Sequence, residues 1–520
     1  MVPLTFAEVV IRAKENGNLL SMDFVVEAVE AFNTLFWRWG VVPLLILSGL
    51  GYCIITALVQ IRFLPDMFRS VVEKPSEISE GTKGISAFKA FTMSAASRVG
   101  TGNVAGVALA VATGGPGAVF WMWCLAIVGG ATSFIESTLA QVYKVRDKDS
   151  YRGGPAYYMS RALGWKPLAV LFAVIICVTY GFVFNAVQSN SISAAVSTSL
   201  GEDAGGANTN AIIGLVLAAI TLAIVFGGVQ RIASFTQTVV PLMAVLYIVL
   251  AFVVIGLNVD KVPGMVVDIV AHAFGIREFA GAALGTVFIQ GVRRGLFSNE
   301  AGMGSVPNAA ATASVSHPAK QGLIQTLGVY FDTLVVCSMT AFIILLAGQD
   351  LHNSEGGMEL TQTSLAASVG QWGIHFLTFI IIFLAYSSII GNYYYGESNI
   401  EYLAGPRRSK RWLTAFRVLV ALCVFGGAVG SVPLVWALAD VFSGVMASIN
   451  LIALIPLSGV AVAVLRHYAV QRRAGLNPVF HRDDMPRSIR GWKYMQSWDG
   501  QDPLTRRDAR YEELDYQWHK

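Results

Sequence analysis

Apolar runs of about 20 residues, separated by short charged or Gly/Pro-rich breaks, recur along most of the chain. At a rise of about 1.5 Å per residue, each run is long enough to cross a hydrocarbon core as a helix. Eleven such spans are predicted, the first from Val41 to about Gln60. Ser86 to Thr113, Gly117 to Val142, Pro167 to Leu200, Ala211 to Gly228 and Ala233 to Leu257 follow before the middle of the chain. Phe279 to Ser316, Gln321 to Ala347, Val369 to Asn399, Trp412 to Val429 and Pro433 to Leu465 complete the set. The expected fold class is therefore an all-α polytopic membrane protein.

The loops between spans alternate in charge. One set carries seventeen Lys or Arg, among them Arg62, Arg69, Lys144, Arg146, Arg161, Arg407 and Arg408, and the opposite set carries only Lys261 and Arg277. Basic loops stay on the cytoplasmic side. This places an amphipathic N-terminus (1–40) outside, an extra helix at 41–60, five-span units at 86–257 and 279–465, and a cytoplasmic tail at 466–520 in a multi-pass protein of a bacterial-type inner membrane. The tail holds eleven Lys or Arg, and its Trp492, Trp498 and Trp518 suggest a solvated or membrane-touching segment rather than a domain.

Composition agrees with the pattern and removes several function classes. Of 520 residues, 54% are hydrophobic and 13% charged, with mean hydropathy +0.58, whereas soluble domains are about a quarter charged. The 51 glycines suit close helix packing better than the alternating strands of a barrel. Five cysteines lie in separate apolar runs, the histidines lack metal-ligand spacing and no phosphate-binding GxxxxGK[ST] loop occurs. Nucleic-acid binding, thiol chemistry and ATP-driven pumping are all disfavoured. Nor does any nucleophile–base pair or metal cluster point to an enzyme.

Three short strings recur in order. Gly100-Thr101-Gly102-Asn103-Val104 matches Gly302-Met303-Gly304-Ser305-Val306, Gln188-Ser189-Asn190 matches Glu397-Ser398-Asn399, and Phe226-Gly227-Gly228 matches Phe425-Gly426-Gly427, at offsets of 202, 209 and 199. Near-constant offsets suggest a duplication. Each unit holds an odd number of spans, so the second must enter the membrane from the opposite side, an inverted repeat of the kind transporters use. Both copies of the first string sit inside a span that makes poor helix: SRVGTGNVAG over 97–106 and GLFSNEAGMGSVPN over 295–308. Unwound backbone at membrane depth is tolerated where it faces protein or a wet cavity. Glycine used only for close helix crossings is the plainer explanation, but paired placement in the two units favours a binding site. GTGNVA also fits a dinucleotide fingerprint, which requires a preceding strand that this span cannot supply.

The stretches VGTGNVAGVALAVATGGPGAVFWMW and RRGLFSNEAGMGS, with FGGVQRI, YFDTLVVC and SSIIGNYYYGES, resemble the alanine or glycine:cation symporter family from about Val41 to Leu465. The resemblance implies the fold of the bacterial leucine transporter, a 5+5 inverted repeat with two broken helices, here preceded by one extra helix. It also implies alternating-access symport of a small neutral amino acid, alanine or glycine, with Na⁺ as the co-transported ion and no organic cofactor. Glutamine and proton coupling are the alternatives. Half-helix N-termini suit a carboxylate and freed carbonyls suit an ammonium or Na⁺. By resemblance, the N–H groups of Thr101 and Gly102 meet the carboxylate, the carbonyls of Phe297, Ser298 and Glu300 lie near the ammonium, and Met303 and Phe297 line the side-chain pocket. Asn103 and Gln188 match family positions near the site. The carbonyls of Ala96 and Val99 with the hydroxyls of Ser387 and Ser388 look like a sodium site, although a Ser-Ser pair also serves as glue between helices. Asn392 stands where many members carry tryptophan before YYG, which enlarges the expected pocket. Glu136, Glu300, Asp332, Glu397 and Asp440 lie in spans where a charge costs about 2.5–3.5 kcal/mol. Arg98, Arg293 and Arg294 are their expected partners, with proton relay as the functional alternative. The oligomeric state is not encoded in any of these patterns.

Overall fold

The computed structural model describes residues 22–73, 77–79, 82–83, 85–147, 150–201, 206–277, 284–348, 351 and 356–500. Trp518 and the last part of the expected tail lie outside them. Uninterrupted apolar sequence forms nine helices long enough to cross a membrane among the described residues. In chain order with the shorter helices they are α1 (Val26–Ile55), α2 (Ala87–Arg98), α3 (Gly102–Gly114), α4 (Gly117–Val142), α5 (Lys166–Leu200), α6 (Ala207–Val225), α7 (Gly228–Leu257) and α8 (Val262–Ala273). There follow α9 (Leu284–Asn299), α10 (Val306–Ala310), α11 (Pro318–Leu346), α12 (Gly357–Val369), α13 (Trp372–Gly405), α14 (Ser409–Val429) and α15 (Val432–Arg473). The two expected spans missing from the nine are the broken ones, α2/α3 and α9/α10. The protein is a multi-pass helical membrane protein.

The breaks have sequence causes. Val99 leaves helical geometry (φ −79°, ψ 90°) between α2 and α3. Between α9 and α10, Glu300 (φ 56°), Gly302 (φ 90°) and Gly304 (φ 79°) all take left-handed backbone, which glycine adopts without strain. Both breaks are shorter than the glycine-rich stretches that predicted them, 99–101 and 300–305, because packing keeps the flanking residues helical. Close crossing accounts for other glycines: a Cβ at Gly322 of α11 would sit 2.2 Å from Thr138 Oγ1 of α4.

Two regions differ from expectation. The helix leading into the first span begins at Met22, and Trp37–Val41 continues it with π geometry. Asn33 Nδ2 donates to Ala437 O (2.9 Å) and Trp37 Nε1 to Asp440 O (3.1 Å), which fastens this helix to α15. The tail, expected to be solvated or to touch the membrane, packs against the protein within 474–500, with Phe480, Met485, Met495 and Trp498 buried. Trp498 looked interfacial because sequence shows its charged neighbours and hides its apolar partners.

Candidate substrate and ion site

The two breaks face each other at the centre of the bundle. Gly102 lies under the Phe297 ring, where an added Cβ would approach Phe297 Cδ1 to 3.0 Å. Phe297 stacks at a tilt on Phe184 of α5 (centroids 4.8 Å apart) and on Trp436 of α15 (5.1 Å). Thr101 donates from its N–H (3.2 Å) and from Oγ1 (2.5 Å) to a single oxygen, Oε1 of Gln188. Two donors from the start of a half-helix thus converge on one acceptor oxygen. Met303 is buried in the second break and donates its N–H to Glu300 O (3.1 Å). The Glu300 carbonyl therefore turns into its own break.

Asn103 links the halves. Its Oδ1 accepts from Gly100 N–H (2.9 Å), and its Nδ2 donates to Ser298 Oγ (3.1 Å) and Asp332 Oδ1 (2.6 Å). Ser298 Oγ donates to Asp332 Oδ2 (2.6 Å), which Thr333 Oγ1 also reaches at 3.0 Å. Asn392 is engaged elsewhere: its Nδ2 donates to Asn185 Oδ1 (3.1 Å), and Ser97 Oγ lies 2.6 Å from its Oδ1. It ties α2 to α5 through α13, a bond pattern that a tryptophan could not supply.

Ser388 Oγ stands 2.7 Å from Ala96 O, at the end of α2, and Gly100 is packed so closely that a Cβ there would meet Ser388 Oγ at 2.3 Å. Ser387 Oγ donates to Leu384 O of its own helix (2.8 Å). Ser388 Oγ and Ala96 O are thus brought together, and neutral oxygens of this kind suit a hard monovalent cation held without a charged cage.

The buried carboxylates divide into two groups. Asp440 pairs with Arg294 and with Arg293 (3.4 Å), and Glu397 with Arg417 (3.4 Å). Glu136, Glu300 and Asp332, expected to pair with arginine, instead take their hydrogen bonds from neutral donors. Glu136 accepts from the N–H groups of Gly302 and Gly304 (both 3.1 Å) and from Asn450 Nδ2 (2.8 Å), so it satisfies the orphaned backbone of the second break. Glu300 takes Ser97 (2.9 Å) and Ser305 (2.6 Å). Arg98 turns away to Gln325. The structural roles of Glu136 and Asp332 were missed as site chemistry. Their signal was present, since an acid in one span facing glycine N–H groups in another needs no arginine.

Two interrupted helices meeting at the middle of a bundle of spanning helices define a membrane transporter built on broken-helix binding. The chain belongs to the Sodium:alanine symporter family, whose sequence profile matches residues 22–482. It is 49% identical over 457 residues to the amino-acid carrier protein AlsT of Bacillus subtilis, covering 87% of this chain and 94% of that one. It is 48% identical over 454 residues to a protein of the same organism named probable sodium/glutamine symporter GlnT, covering 87% and 92%. Among solved structures, MhsT in complex with L-phenylalanine superposes with a TM-score of 0.52 at 14% identity, covering 86% of this chain and 99% of that one. That likeness establishes a shared fold, the leucine-transporter architecture. The transport class of this chain is sodium-coupled amino-acid symport.

Proposed function

We propose that this protein takes up a small neutral amino acid, alanine or glycine, by alternating access around the two breaks. The observation carrying this reading is the convergence of Thr101 N–H and Oγ1 on one oxygen beside Gly102 and Phe297, two donors arranged for one carboxylate oxygen. The N–H groups at the start of α3 hold the substrate carboxylate, the carbonyls of Phe297 and Ser298 take its ammonium, and Phe297, Met303 and Trp436 limit its side chain. Na⁺ binds between Ala96 O, Val99 O and the hydroxyls of Ser387 and Ser388, and its arrival ties α2 to α13. The five-span units at 86–257 and 279–465 form an inverted repeat, with the N-terminus outside and the tail in the cytoplasm, as the basic loops require.

Glutamine is the second reading, favoured by 48% identity to a relative of that name. Uptake of labelled alanine into proteoliposomes, with Na⁺ and pH gradients imposed separately, tests the proposal. Accumulation driven by inward Na⁺ alone supports it, and equal uptake with choline in place of Na⁺ refutes the coupling. Unlabelled glutamine displacing alanine more strongly than glycine does selects the second reading.

A further inference from the structure

The end of the bundle that carries the tail is closed by a short joint between the two broken helices. Just before α2, Ile85 O accepts from Ser314 N–H (2.9 Å), a residue that follows α10, and Ile85 pairs with Ala313 as an isolated bridge. Both half-helices that run from the site to this face therefore end in one hydrogen-bonded contact.

Ala313 is held in turn from α4. Gln141 Nε2 donates to Ala310 O (2.5 Å) and Ala313 O (3.1 Å), and Lys144 Nζ donates to Ala313 O (3.0 Å). Lys144, only 2% exposed, places its ammonium 3.9 Å from the Tyr151 ring centre and 4.5 Å from that of Trp498. An ammonium between two aromatic faces, shielded from water, is fixed in direction. Trp498 belongs to the tail. Its indole N–H donates to Gln141 O (2.9 Å), and the neighbouring Ser497 Oγ donates to Lys144 O (2.9 Å). The tail also reaches the start of α11, where Phe480 N–H donates to Ser316 O (2.9 Å) and Ser316 Oγ to Pro478 O (2.7 Å). Its outer edge is pinned by Asp499 to Arg146 (3.0 Å). The family profile ends at residue 482, so the part of the tail that grips Lys144 lies beyond it.

We infer that residues 474–500 are a latch on this gate, with Lys144 and Trp498 as positioning residues that hold the Ile85–Ser314 joint closed. The inference rests on the alternating-access reading: for this face to open to the site, α2 and α10 must part at that joint. The tail adds contacts made only while the joint is shut, so it shifts the resting population toward the closed state and sets how readily substrate and Na⁺ are released.

The test uses the full chain carrying Ala90→Cys, a buried position on α2, with thiol modification at that site quantified by mass spectrometry on reconstituted protein. Trp498→Ala and Lys144→Met are each expected to speed modification about tenfold, equivalent to ~1.4 kcal/mol in the opening equilibrium. Trp498→Phe, which keeps an aromatic face over the ammonium, recovers part of the protection. A tail that merely stabilises the fold would lower the melting temperature without changing the labelling rate at temperatures well below it. If Trp498→Ala does not fold, Arg146→Ala removes the half-exposed Asp499 contact and is expected to give a smaller acceleration in the same direction. Parent-like labelling in folded Trp498→Ala and Lys144→Met proteins, or in folded Arg146→Ala where those fail, overturns the latch. Wild-type protein that shows no Na⁺-driven uptake refutes the transport reading instead. An exposed tail thiol from Ser488→Cys, reacting only from the cytoplasmic side, fixes which face the latch closes.

Discussion

Gly100→Ala probes the proposed ion site without removing any of its proposed ligands. The added Cβ would lie 2.3 Å from Ser388 Oγ, 3.3 Å from Ser388 Cβ and 3.1 Å from Gln188 Oε1. Rotating the serine hydroxyl relieves only the first contact, and it breaks the 2.7 Å approach to Ala96 O. The remaining contacts require both α13 and the Gln188 side chain of α5 to retreat from the break. Overpacking of this size costs about 1–3 kcal/mol. If that cost falls on the geometry that binds Na⁺, the half-saturating Na⁺ concentration rises by about 5- to 150-fold. The measurement is the Na⁺ dependence of alanine uptake in proteoliposomes, with Gly426→Ala, where nothing lies within 4 Å of the new Cβ, as the control for glycine replacement in a span. Ser388→Ala alone should also raise the Na⁺ requirement by deleting an oxygen ligand. In that background Gly100→Ala should add little, because the two changes act on one contact. A folded Gly100→Ala protein with wild-type Na⁺ dependence would remove Ser388 from the ion site.

Gly102→Val forces branched carbons against Phe297, already 3.0 Å from the position of a Cβ; alanine binding measured by calorimetry should be lost in a folded protein, and normal affinity refutes the placement of the carboxylate at α3. Asp332→Asn turns one of two acceptor oxygens toward Ser298 or Asn103 into a donor, and an unsatisfied buried group costs about 1–3 kcal/mol. Uptake efficiency should fall by about 5- to 150-fold, and unchanged kinetics would make the Asp332 cluster a bystander. Asp440→Ala leaves Arg293 and Arg294 buried without their carboxylate. Such a loss costs about 3–5 kcal/mol and should appear as a lowered melting temperature in detergent; an unshifted melt would mean that both arginines find water.

Spans of continuous apolar sequence were legible because each one is an autonomous solution to the bilayer: its backbone is satisfied within itself, and its length is set by the hydrocarbon thickness. The breaks were legible too, since glycine, serine and asparagine weaken helix wherever they cluster. Their extent was not, because Gly295, Gly100 and Gly106 differ in what they pack against, and within the two glycine-rich stretches left-handed backbone is confined to Glu300, Gly302 and Gly304. Gly102 was expected to offer its N–H to the substrate carboxylate, and the ring lying over it is that of Phe297. Pairings such as Asn103 with Asp332 or Ser97 with Asn392 join residues more than two hundred positions apart, and no local pattern encodes them. The same limit applied to the tail, whose tryptophan finds its lysine across 354 positions between Lys144 and Trp498.

The distribution of buried charge connects these contacts to ion coupling. Arginine pairs on Asp440 and Glu397 hold helices together, and Arg98, at the end of α2 beside the first break, gives its hydrogen bonds to Gln325. At the breaks, Glu136, Glu300 and Asp332 are met by backbone N–H groups, hydroxyls and carboxamides. A fixed guanidinium at the ion site would compete with Na⁺ for the same oxygens and would bind too tightly to leave. Neutral donors solvate a carboxylate without adding a fixed positive charge, an arrangement that fits the proposed binding of a cation that arrives and departs with the substrate. On the proposed reading, the serine and carbonyl oxygens near Ala96 are uncharged and can be individually weak, because carboxylates met by neutral donors lie close by.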